Sequence, residues 1–246
     1  VKTYTIQNGS FITDSYPCTE SDAVYTLKET KAPTGYQLDA TVYPLKTSYS
    51  HYSEADNHIA LTVSDQVSTG RIQVSKYAWN QVAGTQQPEA GAIFRVWLKS
   101  AGSYDKAKDS ERDMITIGKD GKGVSKDLPY GTYCLQQVSG WTGYDLDETI
   151  YEVGIIEHGK TVTADTSGNQ LELYNNIWTG KLTIRKVDGD TQEPLANAIF
   201  TLTGSDGSKQ VAGTDGTGTA FFENLVYGVT YTWTETAAPH GYLLDE

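Results

Sequence analysis

Apolar and polar residues alternate in many short stretches of this chain, which is the pattern of β-strands with one face in a core. Ile72 and Val74 alternate with polar neighbours, and Tyr133 and Leu135 do the same further along. Asp-Gly pairs, as at Asp120-Gly and Asp215-Gly, lie between such stretches and favour tight turns. Short alternating strands separated by turns predict an all-β chain of Ig-like β-sandwich modules.

One sequence pattern occurs three times, and the repeat predicts where the modules lie. Its copies are Tyr25–Tyr36, Tyr133–Tyr144 and Tyr231–Tyr242. The last two copies also share an opening stretch, at Gly70–Lys76 and Gly180–Lys186. The repeat predicts that 1–69 is the C-terminal part of a module, 70–179 a complete module, and 180–246 the N-terminal part of another. We expect the modules to be arranged end to end, and the polar insertion Lys99–Asp113 to be a surface loop of the middle module.

Several predicted strands carry a polar residue on their apolar face. Lysines occupy this position in the opening strands, carboxyl or amide residues in the repeated strand, and Asn or Asp in the closing strands. They are, in that order, Lys76 and Lys186; Glu29, Gln137 and Glu235; Asp65 and Asn175. Strand alternation points all of them inward, so an amine, a carboxyl and an amide or second carboxyl should be buried together.

Such a cluster has two chemical interpretations. Burial lowers the pKa of a lysine and raises that of a carboxyl, so both groups can become neutral. A neutral amine is a nucleophile, and a protonated carboxyl can polarise a neighbouring carbonyl, so a Lys–Asn or Lys–Asp isopeptide bond could form. The alternative is a buried Lys–Glu ion pair that is satisfied by a neighbouring amide and undergoes no reaction.

These segments resemble the CnaB-type domains of Gram-positive pilins and surface adhesins. Tyr25–Tyr36 is similar to the pilin "E-box" at almost every position, and Tyr231–Tyr242 matches it with Trp233 in place of Leu. The resemblance implies an Ig-like sandwich in which Lys and Asn or Asp side chains are joined spontaneously. It makes Lys76 and Lys186 the donors and Asn175 and Asp65 the acceptors of isopeptide bonds. It makes Glu29 and Glu235 the assisting acids.

The middle module departs from this pattern because Gln137 occupies the position of the acid. A neutral amide cannot donate and shuttle the proton that the chemistry needs. Another carboxyl could substitute, but the sequence does not identify it. The first segment lacks an opening lysine, and the last ends before its acceptor, so no segment contains the full set of three residues.

Composition narrows the function further. The 31 acidic against 19 basic residues give a net charge of −12, and without a basic cluster we expect no nucleic-acid partner. No apolar run approaches the roughly 20 residues of a membrane span.

The four histidines have no metal-ligand spacing, and no nucleophile–base pair is visible, so we expect neither a metal, nor a cofactor, nor enzymatic activity. Two cysteines make no disulfide framework; Cys134 should face outward, and Cys18 lies in a polar loop.

Repetition without a recognisable catalytic site favours a structural role at the cell surface. We expect an extracellular stalk or shaft of a pilus or fibre that presents a binding tip and is anchored to the cell wall through parts outside this chain. Its partners would be neighbouring subunits or host surface ligands. The alternatives are a ligand-binding adhesin module, with contacts from Lys99–Asp113, and a spacer domain of a surface enzyme.

Overall fold

The computed structural model describes residues 1–16, 23–47 and 59–244, and their regular structure is almost entirely β-strand. Within these ranges the helices are 3-10 turns of three residues each, so the all-β prediction is confirmed. The chain divides into two compact units, Val1–Ser68 and Thr69–Glu246. None of the described helices has the length and apolar character needed to cross a membrane.

Among its described residues, the first unit contains one antiparallel strand pair, β1 (Ala23–Lys28) and β2 (Val42–Thr47). The sequence predicts a closing strand here with Leu61, Val63 and Asp65 on one face. That prediction is wrong, because residues 59–66 form no strand and Leu61 and Val63 are 43% and 39% exposed. The described residues of this unit include no opening strand with which a closing strand could pair. Cys18 lies outside the described residues.

Ten strands build the middle module. They are β3 (Thr69–Asn80), β4 (Thr85–Pro88), β5 (Ile93–Leu98), β6 (Arg112–Thr116), β7 (Lys122–Val124), β8 (Leu128–Pro129), β9 (Gly131–Ser139), β10 (Ile150–Ile155), β11 (Thr161–Val162) and β12 (Glu172–Asn176). One sheet has the order β10-β9-β5-β6. In the other, the long strand β3 pairs in parallel with β11 and β12, and antiparallel with β4, β7 and β8.

The core of the middle module lies between these two sheets. Every second residue of β3 from Gly70 to Ala78 is buried, as the sequence alternation predicts. Ile72 and Val74 join Phe94, Tyr133 and Leu135 of the opposite sheet in one apolar cluster. Burial of this surface is the main favourable contribution to folding of the module.

The insertion does not form a free loop. It contains three short 3-10 helices, Lys99–Ala101, Tyr104–Lys106 and Asp109–Glu111, and Ala107 between them packs against Trp97 and Cys134. Cys134 points away from the sandwich core, as alternation predicts, but it is 9% exposed because the insertion covers that face. The prediction that Cys134 faces away from the core is therefore confirmed, and the insertion buries it there.

The last module has five strands: β13 (Thr179–Arg185), β14 (Ile199–Gly204), β15 (Lys209–Gly213), β16 (Thr219–Val226) and β17 (Tyr231–Ala237). They form a β13-β16 pair and a β15-β14-β17 sheet around Phe200, Leu202 and Phe222. Alternation places Trp233 on the inner face of β17, yet it is 52% exposed, although its ring packs at an angle of 70° against that of Phe200. The described strands of the last module leave this part of β17 uncovered.

The middle and last modules meet through an aromatic contact. Trp178, which follows β12, packs edge-to-face against Tyr227 with ring centroids 5.5 Å apart. Backbone hydrogen bonds run from Trp178 N to Gly143 O and from Tyr227 N to Trp178 O. Gly143 has φ +90°, and a Cβ there would lie 2.1 Å from the Tyr227 ring, so no larger residue fits.

We predict that Tyr227→Ala weakens this junction. Loss of the edge-to-face pair should destabilise the last module by about 1 kcal/mol, as measured by urea unfolding. Phe221→Ala is the control, because Phe221 belongs to the same module and is 61% exposed. An equal loss from both variants would contradict a specific contribution from the junction.

Candidate functional site

Lys76 lies at the centre of the middle module. It follows Ile72 and Val74 on the inner face of β3, and its side chain is 0% exposed. An ionised amine in such a place is costly unless polar groups surround it. The polar groups that contact the Lys76 amine therefore define this site.

The first of these groups is Asn175 on β12. Parallel pairing of β12 with β3 sets Leu173 opposite Lys76 and Asn175 opposite Ala78, which brings the amide within reach of the amine. Lys76 Nζ donates a hydrogen bond to Asn175 Oδ1 at 2.6 Å, and Asn175 is 2% exposed. The structure thus places the two side chains in direct contact in the core.

The second group is Glu89, a carboxyl that the sequence reasoning did not identify. Glu89 follows β4, and its backbone N donates to the backbone O of Lys76 at 3.1 Å. Its side chain is 0% exposed and accepts from Asn175 Nδ2, at 3.0 Å to Oε2, and from Trp141 N, at 2.7 Å to Oε1. An amine, an amide and a carboxyl are therefore in contact through Asn175.

Burial dominates the electrostatics of this cluster. It lowers the pKa of Lys76 to about 8, against the opposing attraction of Glu89 and Asp147. Burial also raises the pKa of Glu89, although the Trp141 N–H, Lys76 and Asn175 partly offset it. Both shifts increase the fraction of neutral amine and the fraction of protonated carboxyl at neutral pH.

Gln137 lies beside the cluster, with 3% of its surface exposed. Its Nε2 donates to Ser139 O at 3.1 Å, and its Oε1 has no hydrogen-bond partner among the described residues. A Cβ at Gly140 would lie 2.6 Å from Glu89 Oε1 and 2.8 Å from Gln137 Nε2. The site therefore packs directly against a residue that has no side chain.

The last module holds a related pair. Lys186 Nζ lies 3.0 Å from Glu235 Oε2, with side chains 17% and 1% exposed. The backbone N of Leu195 donates to Lys186 O at 3.0 Å, as Glu89 N does to Lys76 O. Glu235 pairs with Phe200 across the sheet, as Gln137 pairs with Phe94.

The two modules therefore place their acid at different positions. Where the middle module has Glu89 and Gln137, the last has Leu195 and Glu235. One signal in the sequence could have revealed this, since Pro88-Glu89 and Pro194-Leu195 occupy the same place in the repeat. A carboxyl where the other copy has an apolar residue indicates a buried acid.

In the first unit, the predicted residues do not form such a cluster. Glu29 is half-buried, and its Oε2 accepts from Asp39 N at 2.8 Å. Asp65 is also half-buried, and within the part of the chain that the structure describes no hydrogen bond or ion pair joins it to Glu29. No three His, Cys, Asp or Glu side chains of the described residues are grouped as metal ligands would be.

Comparison with known proteins places this chain in a family. A family model described as "SpaA: Prealbumin-like fold domain" matches residues 70–170 and 180–246. Among solved structures, the Bacillus anthracis TIE protein is 25% identical with a TM-score of 0.65, over 92% of this chain and 38% of that one. This chain thus spans well under half of that protein.

Two structures from Lactobacillus rhamnosus GG are also similar. A C-terminal fragment of the pilus adhesin SpaC is 22% identical with a TM-score of 0.42, over 72% of this chain and 78% of the fragment. The shaft pilin SpaA is 19% identical with a TM-score of 0.31, over 72% of this chain and 90% of that one. A search of curated proteins gave no match.

We predict that Glu235→Ala destabilises the last module by about 3 kcal/mol, because it removes the carboxylate beside the largely buried Lys186 amine. The free energy of unfolding from urea titration measures the effect. Glu223→Ala is the matched control, since it breaks the exposed ion pair with Lys181, 2.6 Å long, and should change stability little. Comparable losses in the two variants would contradict the prediction.

Proposed function

This chain belongs to the family of SpaA prealbumin-like fold domains, and from that membership we propose that it is a structural part of a Gram-positive surface protein. Its modules would serve as a stalk or shaft of a pilus or fibre that holds a binding tip away from the cell. The threefold repeat supports this role, because repeated sandwich modules add length without adding a new site. Its partners would be neighbouring subunits. The E-box resemblance supports modules of the CnaB type.

We further propose that the middle module is closed by an isopeptide bond between Lys76 and Asn175. The buried contact between Lys76 Nζ and the Asn175 carbonyl, 2.6 Å long, carries this proposal. The depressed pKa of Lys76, about 8, makes the neutral nucleophilic amine accessible near physiological pH. The fold holds the two reacting groups in contact, so no bimolecular encounter is needed. This proximity supplies much of the rate acceleration in reactions of this kind.

Such a bond suits a stalk because it joins the first and last strands of the module. β3 and β12 are already neighbours in one sheet, so the bond would require little rearrangement of the backbone. A covalent link between distant parts of a chain restricts the unfolded state and stabilises the folded one. It would provide this stability without a disulfide, which fits a chain with only two cysteines.

The mass of the intact protein tests the proposal. We expect the wild-type chain to be lighter than its sequence mass by about 17 Da, the mass of one ammonia. Tryptic digestion should yield one branched peptide that contains Lys76 and Asn175. Lys76→Ala and Asn175→Ala should each have the full sequence mass of the variant.

Asn176→Ala is the matched control, because Asn176 is the next residue of β12 and is exposed. It should retain the mass loss and the branched peptide. A wild-type chain with the full sequence mass, and with Lys76 recovered in a linear peptide, would rule out the bond.

A further inference from the structure

We propose that Glu89 is the catalytic acid–base of the middle module and takes the role that the E-box position, occupied here by Gln137, cannot fill. This inference rests on the proposed Lys76–Asn175 bond. It assigns the proton transfers of that reaction to a residue on the segment between β4 and β5, which belongs to neither the opening, the closing nor the E-box strand.

The contacts of Asn175 carry the assignment. One end of its amide, Oδ1, accepts from Lys76 Nζ, and the other end, Nδ2, donates to Glu89 Oε2 at 3.0 Å and Oε1 at 3.3 Å. Nδ2 is the atom that leaves as ammonia. The carboxyl is thus already hydrogen-bonded to the leaving group, within the distance required of a general acid.

The reaction can be balanced with these three side chains alone. The Lys76 Nζ lone pair attacks Asn175 Cγ, and the Nζ–Cγ bond forms. Glu89 accepts the proton that Nζ must lose and delivers a proton to Nδ2, after which the Cγ–Nδ2 bond breaks. The products are a secondary amide and ammonia, Glu89 returns to its starting state, and no oxidant or metal is needed.

Glu89 is better suited to this role than the other carboxyl near Lys76. Asp147 also attracts the amine, but its carboxylate accepts hydrogen bonds from Thr149 N at 3.0 Å and Tyr151 Oη at 2.7 Å. Although burial raises the pKa of Asp147, these bonds outweigh it and leave the pKa below its usual value. Asp147 therefore stays ionised, and no hydrogen bond between described residues joins it to Asn175.

The surroundings of Glu89 fit a reacting group. Gly140 leaves the space in which Glu89, Gln137 and Asn175 approach one another. On the outer side, Asn175 reaches a surface depression of about 340 Å³ that is lined by Gly140, Trp141 and Trp178. Ammonia released at Nδ2 would have a short path to solvent there.

The charge of the cluster also fits a neutral residue at position 137. With Glu89 present, a carboxyl at residue 137 would place two acids beside one buried lysine, and one of them would lack a counter-charge. In the last module the acid is Glu235, and the position of Glu89 is taken by Leu195. Among the described residues, Glu89 and Glu235 are thus the only buried carboxyls of these two modules, one for each lysine.

The experiment compares Glu89→Gln with the double variant Glu89→Gln/Gln137→Glu. Each protein is purified and incubated, and the fraction lighter by one ammonia is followed by intact mass. Glu89→Gln should link at least about 100-fold more slowly than wild type, because general acid–base catalysis is lost. The double variant moves the carboxyl to the E-box position and should recover the link.

Asp147→Asn is the control, since it removes the other nearby carboxylate without touching Asn175, and it should link like wild type. Near-ultraviolet circular dichroism establishes that Glu89→Gln is folded. A folded Glu89→Gln that links at the wild-type rate overturns the role of Glu89 and leaves the bond itself intact. If Glu89→Gln does not fold, the double variant decides: linkage supports the assignment, and a folded, unlinked double variant overturns it.

Discussion

The hydrogen bond between the buried amine of Lys76 and the carbonyl of Asn175 is the contact on which the arrangement of the middle module depends. A lysine with no exposed surface is tolerated only if polar groups surround it. β12 must therefore run alongside β3 in one register, and the segment after β4 must turn Glu89 inward. Gly140 must lack a side chain so that all of these groups fit. Each of these features alone would lower the stability of the fold. Together they are tolerated, because each polar group finds its partner in another.

The middle and last modules each place a carboxyl near a lysine in the core, but they take it from different positions in the sequence. Both place a lysine on the opening strand and one buried carboxyl near it, but the carboxyl comes from different parts of the module. In the middle module the segment between β4 and β5 supplies it as Glu89, whereas in the last module β17 supplies it as Glu235, 3.0 Å from Lys186. The fold thus constrains the number of buried acids in each core. Which residue supplies the acid can vary, because the fold brings two positions of the sequence close to the lysine.

Strand alternation was sufficient to predict which way Lys76, Asn175 and Gln137 point, since a period of two fixes the face of every residue in a strand. It could not find Glu89, which lies in a turn between strands, where no period applies. It also gave the direction of Cys134 and Trp233 but not their exposure. Exposure depends on what covers a face: the insertion covers Cys134, whereas the described strands of the last module leave Trp233 uncovered. Leu61 and Val63 have the alternation of a strand, but the described residues of the first unit offer no strand for them to pair with.

The parallel pairing of β3 with β12 has a mechanical consequence. The chain enters the middle module through β3 and leaves it through β12, and the two run in the same direction side by side. Tension applied to the ends of the module would pull these neighbours in opposite directions along their length. The hydrogen bonds between them would bear that load together in shear, instead of opening one after another. Lys76 and Asn175 lie within the loaded stretch, so the force would pass between the two strands there and bypass the rest of the sandwich.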